Sequence, residues 1–192
     1  MIRTRLFAGL LVAVLAVPAQ AQLIGVGVGT LVPQGDLADG VKSGLAASAN
    51  VEFGSRFKFR GELFWANSDL KGAFSADGVP LPDDANVSGS VKFLAGTGSV
   101  VLYPMTGVFQ PYVLGGVGMY SRTLAQDVED VGDEIDDLRL KDSDFGFHFG
   151  GGLKLQVKPV AIFGEIRYHR VKHEGENNKS NFVPILVGVR IF

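Results

Sequence analysis

The sequence contains no cysteine, a single tryptophan and only three histidines in 192 residues. The first absence excludes a disulfide framework and any thiolate metal site. The second shortage leaves His148, His169 and His173 as the entire imidazole supply. Charge of one sign is lacking too: 18 Lys and Arg stand against 20 Asp and Glu, a formal net charge of −2. Without a basic footprint, nucleic acid is not an expected partner. Finally, no apolar run after Val17 reaches the roughly 18 residues that a helix needs to span a bilayer. If the chain beyond that point enters a membrane, it does so as strands, because only helices and closed barrels satisfy every backbone group there.

What is present begins with an export pattern. Arg3 and Arg5 form a basic segment, Leu6 to Val17 is apolar, and Ala19-Gln20-Ala21 has the small-x-small form cut by signal peptidases. This predicts a signal peptide over 1–21 and a single mature domain over 22–192. No cysteine follows Ala21, which excludes a lipid-anchored form.

The mature sequence is rich in glycine (26 residues in the chain) and aromatic side chains (10%), and it alternates with period two. The clearest stretch is Asn181 to Phe192, where Val183, Ile185, Val187, Val189 and Ile191 take one face and Pro184, Gly188 and Arg190 the other. Leu23 to Val32 sets Ile24, Val26, Val28 and Val32 against Gly25, Gly27 and Gly29. Gly44 to Phe53 and Arg56 to Ala66, joined at Gly54-Ser55, alternate likewise. There Phe57, Phe59, Leu63 and Trp65 face outward and Glu52, Lys58, Arg60 and Glu62 inward. Val87 to Leu102 is a fourth strand, with Val91, Phe93, Ala95 and Val101 expected outward and Ser88, Ser90, Lys92, Gly96 and Gly98 inward. In Pro111 to Arg122, Val113, Val117 and Met119 compete with Tyr112, Leu114 and Tyr120 for the outward face, and the first set is preferred. Asp142 to Val157 sets Phe145, Phe147, Phe149, Leu153 and Leu155 against His148, Gly150, Gly152, Lys154 and Gln156. Val160 to Val171 sets Ile162, Ile166 and Tyr168 against Glu165, Arg167 and His169.

The connections between these eight strands alternate long, short, long, short. Outer-membrane barrels have short periplasmic turns and longer extracellular loops, whereas a soluble sandwich has no reason to sort its connections by length. Strands of about ten residues, rising ~3.3 Å each and tilted by around 40°, cover the ~25 Å apolar band of such a membrane. The expected fold is all-β: an eight-stranded, antiparallel, up-and-down transmembrane barrel.

Four motifs carry a family likeness: Gly25-Val26-Gly27-Val28-Gly29, Pro33-x-Gly35-Asp36, Pro111-Tyr112-Val113-x-x-Gly116-x-Gly118, and Val187-Gly188-Val189-Arg190-Ile191-Phe192. Through them the mature chain resembles the small eight-stranded outer-membrane barrels typified by the OmpA membrane domain and OmpX. The resemblance implies residence in the outer membrane among its lipid and lipopolysaccharide, and delivery to the barrel-assembly machinery through the C-terminal strand. It departs from the family at the end, where the lipid-facing register closes on Ile191 rather than on the terminal aromatic Phe192.

The lipid-facing set is read as Phe57, Phe59, Trp65, Phe145, Phe147, Phe149, Ile166, Tyr168, Val187 and Val189. The lumen is expected to receive Glu52, Lys58, Arg60, Glu62, Lys92, Lys154, Glu165, Arg167 and Arg190. Charges in a narrow interior are costly unless paired, and an eight-stranded barrel is just wide enough for side chains to fill. A polar plug is therefore expected, with a narrow channel or an OmpW-like conduit for hydrophobic solutes as the alternative. For a conduit, Phe64, Leu94 and Phe163 are the few inward candidates.

Asp127, Glu129, Asp130, Asp133, Glu134, Asp136 and Asp137 crowd one long loop, a weak candidate for Ca²⁺ or Mg²⁺. They lack the spacing of a calcium-binding loop, so a solvated loop that meets an extracellular ligand is the preferred reading, with no cofactor. A lipid A deacylase would need a histidine and a serine poised on one strand face. Neither His148-Phe149-Gly150 nor His169-Arg170-Val171 offers that. The expectation is a non-enzymatic scaffold whose four loops serve adhesion, envelope integrity or host contact.

Overall fold

The computed structural model describes residues 22–70, 88–127, 141–157, 159–172 and 179–191. The expected signal peptide, the acidic loop beyond Asp127, and Phe192 lie outside them. Eight strands follow one another: β1 (Gln22–Gln34), β2 (Gly44–Gly54), β3 (Phe57–Asp69), β4 (Ser88–Leu102), β5 (Phe109–Asp127), β6 (Lys141–Val157), β7 (Val160–Lys172) and β8 (Lys179–Ile191). Each pairs antiparallel with the next, and β8 returns to β1 to close the barrel. The closing seam runs from Ile24 opposite Ile191, through Gly27 opposite Gly188, to Gln34 opposite Asn181. Closure leaves no free sheet edge among the described strands, and the β7–β8 ladder is interrupted only between Ile166–Ile185 and His169–Phe182, where Pro184 has no N–H to give. No helix among the described residues is long and apolar enough to cross a membrane.

The strand ends joined through residues 55–56, 103–108 and 158–159 lie at one rim, and those joined through 35–43, 70–87, 128–140 and 173–178 at the other. The expected alternation of lengths holds except that 103–108 and 173–178 are equal, six residues each. On the long side, β5 continues to Asp127, past the Arg122 end expected from sequence, because β4 and β6 offer it partners: Ser88 opposes Asp127, and Lys141 opposes Thr123. In the first long connection, Gly35 takes a positive φ of 58° and opens a short helix, α1 (Asp36–Gly40), whose Leu37 packs on the barrel's apolar interior. The Pro33-Gln34-Gly35-Asp36 and Asp39-Gly40 signals predict only loop here.

Exposure follows the two-residue period. Ile24, Val26, Val28, Phe57, Phe59, Leu63, Trp65, Phe145, Phe147, Phe149, Ile166, Val187 and Val189 are exposed on the outside, Tyr168 partly so, and Val113, Val117 and Met119 of β5 join them.

β4 reverses the expectation. Val91, Phe93, Ala95 and Val101 are buried inside, while Lys92, Leu94, Gly96 and Gly98 face out. The reason is register: residues directly opposite in an antiparallel pair share a face, and the inward Arg60 and Phe64 of β3 oppose Ser99 and Ala95. Assigning polar residues to the lumen and apolar residues to lipid misreads β4, because its long-loop half meets an apolar interior. Lys92 therefore leaves the lumen set, and Leu94 leaves the conduit candidates.

Candidate functional site

The lumen is filled in two tiers. Strand direction dictates their order, since inward residues near the short turns (Glu52, Arg60, Lys154, Arg190) precede or follow those near the long loops (Phe64, Phe93, Phe182) along the same strands.

The tier toward the short turns is ionic. Glu52, Glu62 and Glu165 interleave with Arg60, Arg167 and Arg190, all buried. Arg60 donates from Nε and Nη2 to Glu52 Oε1 at 2.9 and 2.7 Å, and from Nη1 to Glu165 Oε2 at 2.6 Å. Arg167 pairs with Glu62 through Nη1 and approaches Glu165 Oε1 with Nε at 2.9 Å. Arg190 bridges Glu52 and Glu165 at 3.4 and 3.7 Å. The result is an alternating chain in which each of these carboxylates meets a guanidinium. A buried pair of this kind adds little over well-packed apolar residues, but removing one partner strands the other.

Two tyrosines complete this tier. Tyr112 donates to Glu165 Oε2 at 2.7 Å. Tyr103, in the turn after β4, donates to Glu52 Oε2 at 3.0 Å and accepts from Arg190 Nη1 at 2.8 Å. Burial pushes the Tyr103 pKa up, outweighing the neighbouring arginines, and keeps it a donor. Glycines make room: a Cβ at Gly152 would stand 2.6 Å from the Tyr112 ring, and one at Gly188 would stand 2.6 Å from Phe163.

The tier toward the long loops is apolar and aromatic: Leu31, Ala46, Phe64, Ala66, Val91, Phe93, Ala95, Tyr120, Val171, Phe182 and Leu186 form one cluster. Inserted in it, His148 and His169 stack at 4.9 Å between ring centroids, and His169 stacks on Phe182 at 4.9 Å. The Tyr120 hydroxyl lies 2.8 Å from His169 Nδ1, and Ser99 Oγ lies 2.8 Å from His148 Nε2. The tiers meet where the Arg167 guanidinium sits over the Phe64 ring at 5.9 Å.

Of the residues expected in the lumen, Glu52, Arg60, Glu62, Lys154, Glu165, Arg167 and Arg190 are buried there, Lys58 is half-buried at the short-turn mouth, and Lys92 is outside. Tyr103 and Ser99 escape the sequence reading, while Tyr112 and Tyr120 fall on the inner side of the preferred β5 facing without a role being read for them. Tyr112 and Tyr120 share the inward face of β5 at an even spacing, a legible signal once the facing of that strand is known. The turn position of Tyr103 carries no such signal. The acidic set, apart from Asp127 at the end of β5, lies outside the described residues. Among the described residues, no group of three His, Asp or Glu is placed to hold a metal ion.

A family model described as outer membrane protein beta-barrel domain matches residues 7–190 of the sequence. No curated protein matches it. Among solved structures, Neisserial surface protein A superposes with a TM-score of 0.59 at 12% identity, over 88% of this chain and 96% of its own. A major outer membrane protein from Thermus thermophilus gives 0.59 at 13% identity, over 89% and 99%. At such identities the likeness is one of fold.

Proposed function

The chain belongs to the outer membrane protein beta-barrel domain family and resides in the cell outer membrane, and from that premise we propose that it is a structural, surface-interaction scaffold with a plugged lumen. The observation that carries this reading is the ionic tier. Three glutamates and three arginines, interlocked across the short-turn half of the barrel, occupy the section through which a solute would have to pass. An eight-stranded interior has no width to spare beyond such side chains. The barrel then fixes at one rim the strand ends that carry residues 35–43, 70–87, 128–140 and 173–178, through which an extracellular ligand, adhesive surface or envelope component would be met.

The conduit reading has one observation in its favour, the apolar tier under the long-loop rim. That tier ends at Arg167, however, and an apolar solute entering from above would meet the ion network. The enzymatic reading is weakened by place. The Ser99–His148 pair is buried inside the barrel, away from any lipid at the outer surface, and Tyr120 and His169 around it are equally enclosed.

Replacing residues 128–140 with a short Gly-Ser turn tests the scaffold reading. The barrel should still form and migrate as a heat-modifiable species on gels, while surface binding by cells that carry it is reduced. Loss of barrel formation, with binding tracking the folded fraction alone, would count against a display role for that loop.

A further inference from the structure

The ionic tier is balanced only among its own members. Every carboxylate in it meets an arginine, and Glu52 and Glu165 a tyrosine as well, yet two more cations reach the same end of the lumen. Lys58 comes from β3 and Lys154 from β6, so they converge from separate sides of the barrel. Both ammonium groups approach a single ring: Lys154 Nζ lies 4.5 Å and Lys58 Nζ 5.6 Å from the Tyr103 centroid. Lys154 is 3% exposed. Among the described residues no carboxylate lies within ion-pair distance of either lysine, and Glu52, the nearest acidic group in the network, is already shared by Arg60 and Arg190. Cation–π attraction to a tyrosine is weaker than the cost of desolvating an ammonium. Two like charges gathered over one ring at the short-turn mouth repel each other, and an anion held between them would turn that repulsion into attraction.

We propose that Lys58 and Lys154 bind a phosphate-type oxyanion at the short-turn mouth of the lumen, with Tyr103 as the floor of the site. This mouth faces the periplasmic side in the orientation usual for such barrels, with short turns inward, and the half-buried Lys58 reaches solvent there. Two chemically equivalent sources exist there: free inorganic phosphate, and the phosphodiester headgroup of an anionic lipid in the adjoining leaflet. An ammonium is a compact cation with three rotatable donors, suited to an oxyanion of either kind. The inference does not rest on the scaffold reading, since a conducting barrel with the same two lysines would bind in the same way.

The test uses the full mature chain refolded in zwitterionic detergent and in phosphatidylcholine vesicles. Its thermal unfolding midpoint is followed against inorganic phosphate, with chloride at matched ionic strength as reference, and against vesicles doped with phosphatidylglycerol. A saturable rise with inorganic phosphate identifies the free anion. A rise only with phosphatidylglycerol identifies the headgroup. In either case Lys58→Met or Lys154→Met should weaken the apparent affinity about tenfold or more, as expected for loss of a charge-assisted contact. Lys154→Arg should retain it, and Lys92→Met, on the outer face, should leave it unchanged. If Lys154→Met fails to fold, the half-buried Lys58 and the Lys154→Arg variant still decide the matter. No rise with either probe, or a rise that survives Lys58→Met together with Lys154→Arg at full strength, overturns the site.

Discussion

The two halves of the lumen solve one packing problem by different physics. Toward the short turns the space is filled mainly by guanidinium and carboxylate groups whose geometry is directional; toward the long loops it is filled mainly by rings and aliphatic side chains, with the Tyr120–His169 and Ser99–His148 contacts set among them. In the first half each member is held by two or more partners, so position and charge are both specified. In the second, shape and hydrophobicity govern all but the two histidines. The contrast teaches that the inside of a small membrane barrel is not simply its polar face. One lumen can carry interlocked ions at one end and an apolar cluster at the other.

The comparison is broken most severely at Arg60, which contacts Glu52 and Glu165 directly. Arg60→Ala should lower stability by roughly 3–5 kcal/mol, because two buried carboxylates each lose their nearest guanidinium. Urea unfolding of the refolded barrel in detergent reads this directly, and a loss under about 1 kcal/mol would mean that the ion pairs are solvated rather than buried.

An intermediate effect is expected where glycine seats a tyrosine. Gly152→Ala puts a methyl group against the Tyr112 ring and the Gly164 carbonyl, and should cost about 1–3 kcal/mol. Gly98→Ala, on the outer face where nothing lies within 4 Å of the added carbon, should be neutral or stabilising by a few tenths of a kcal/mol. Equal costs at the two glycines would contradict the facing of β4 as well as the tight fit of Tyr112.

The smallest effect belongs to the aromatic tier. Phe182→Leu keeps an apolar side chain in a cluster that demands no hydrogen bond from it, and should cost under about 1.5 kcal/mol in the same unfolding assay. A loss as large as that of Arg60→Ala would show that ring stacking with His169 is as directional as the ion pairs, and the distinction between the tiers would fall.

Much of this was legible in the sequence because alternation constrains facing strongly. Charges alternating with aromatics at Lys58, Arg60 and Glu62 against Phe57, Phe59 and Leu63 admit a single assignment, and the observed exposure follows it. β4 was not legible. Val91, Phe93 and Ala95 alternate with Ser90, Lys92 and Leu94, and hydropathy alone sends the wrong set to lipid. Only the pairing of Ala95 with Phe64 and of Ser99 with Arg60 reveals that the interior there is apolar. Pairing between charges could be expected from the cost of burying them, but its pattern could not be foreseen, since Arg60 and Glu165 are 105 residues apart. Tyr103 was hidden for a similar reason: a turn position has no periodicity to report its direction.

The central claim is that interlocked charges close the lumen, and single-channel recording in a planar bilayer tests it most directly. Refolded, heat-modifiable wild-type protein should give no unitary steps above the bare-membrane baseline in either polarity. Reproducible steps from that protein, unchanged when Glu165 or Arg167 is altered, would show that solutes pass beside the ionic tier and that it does not seal the barrel.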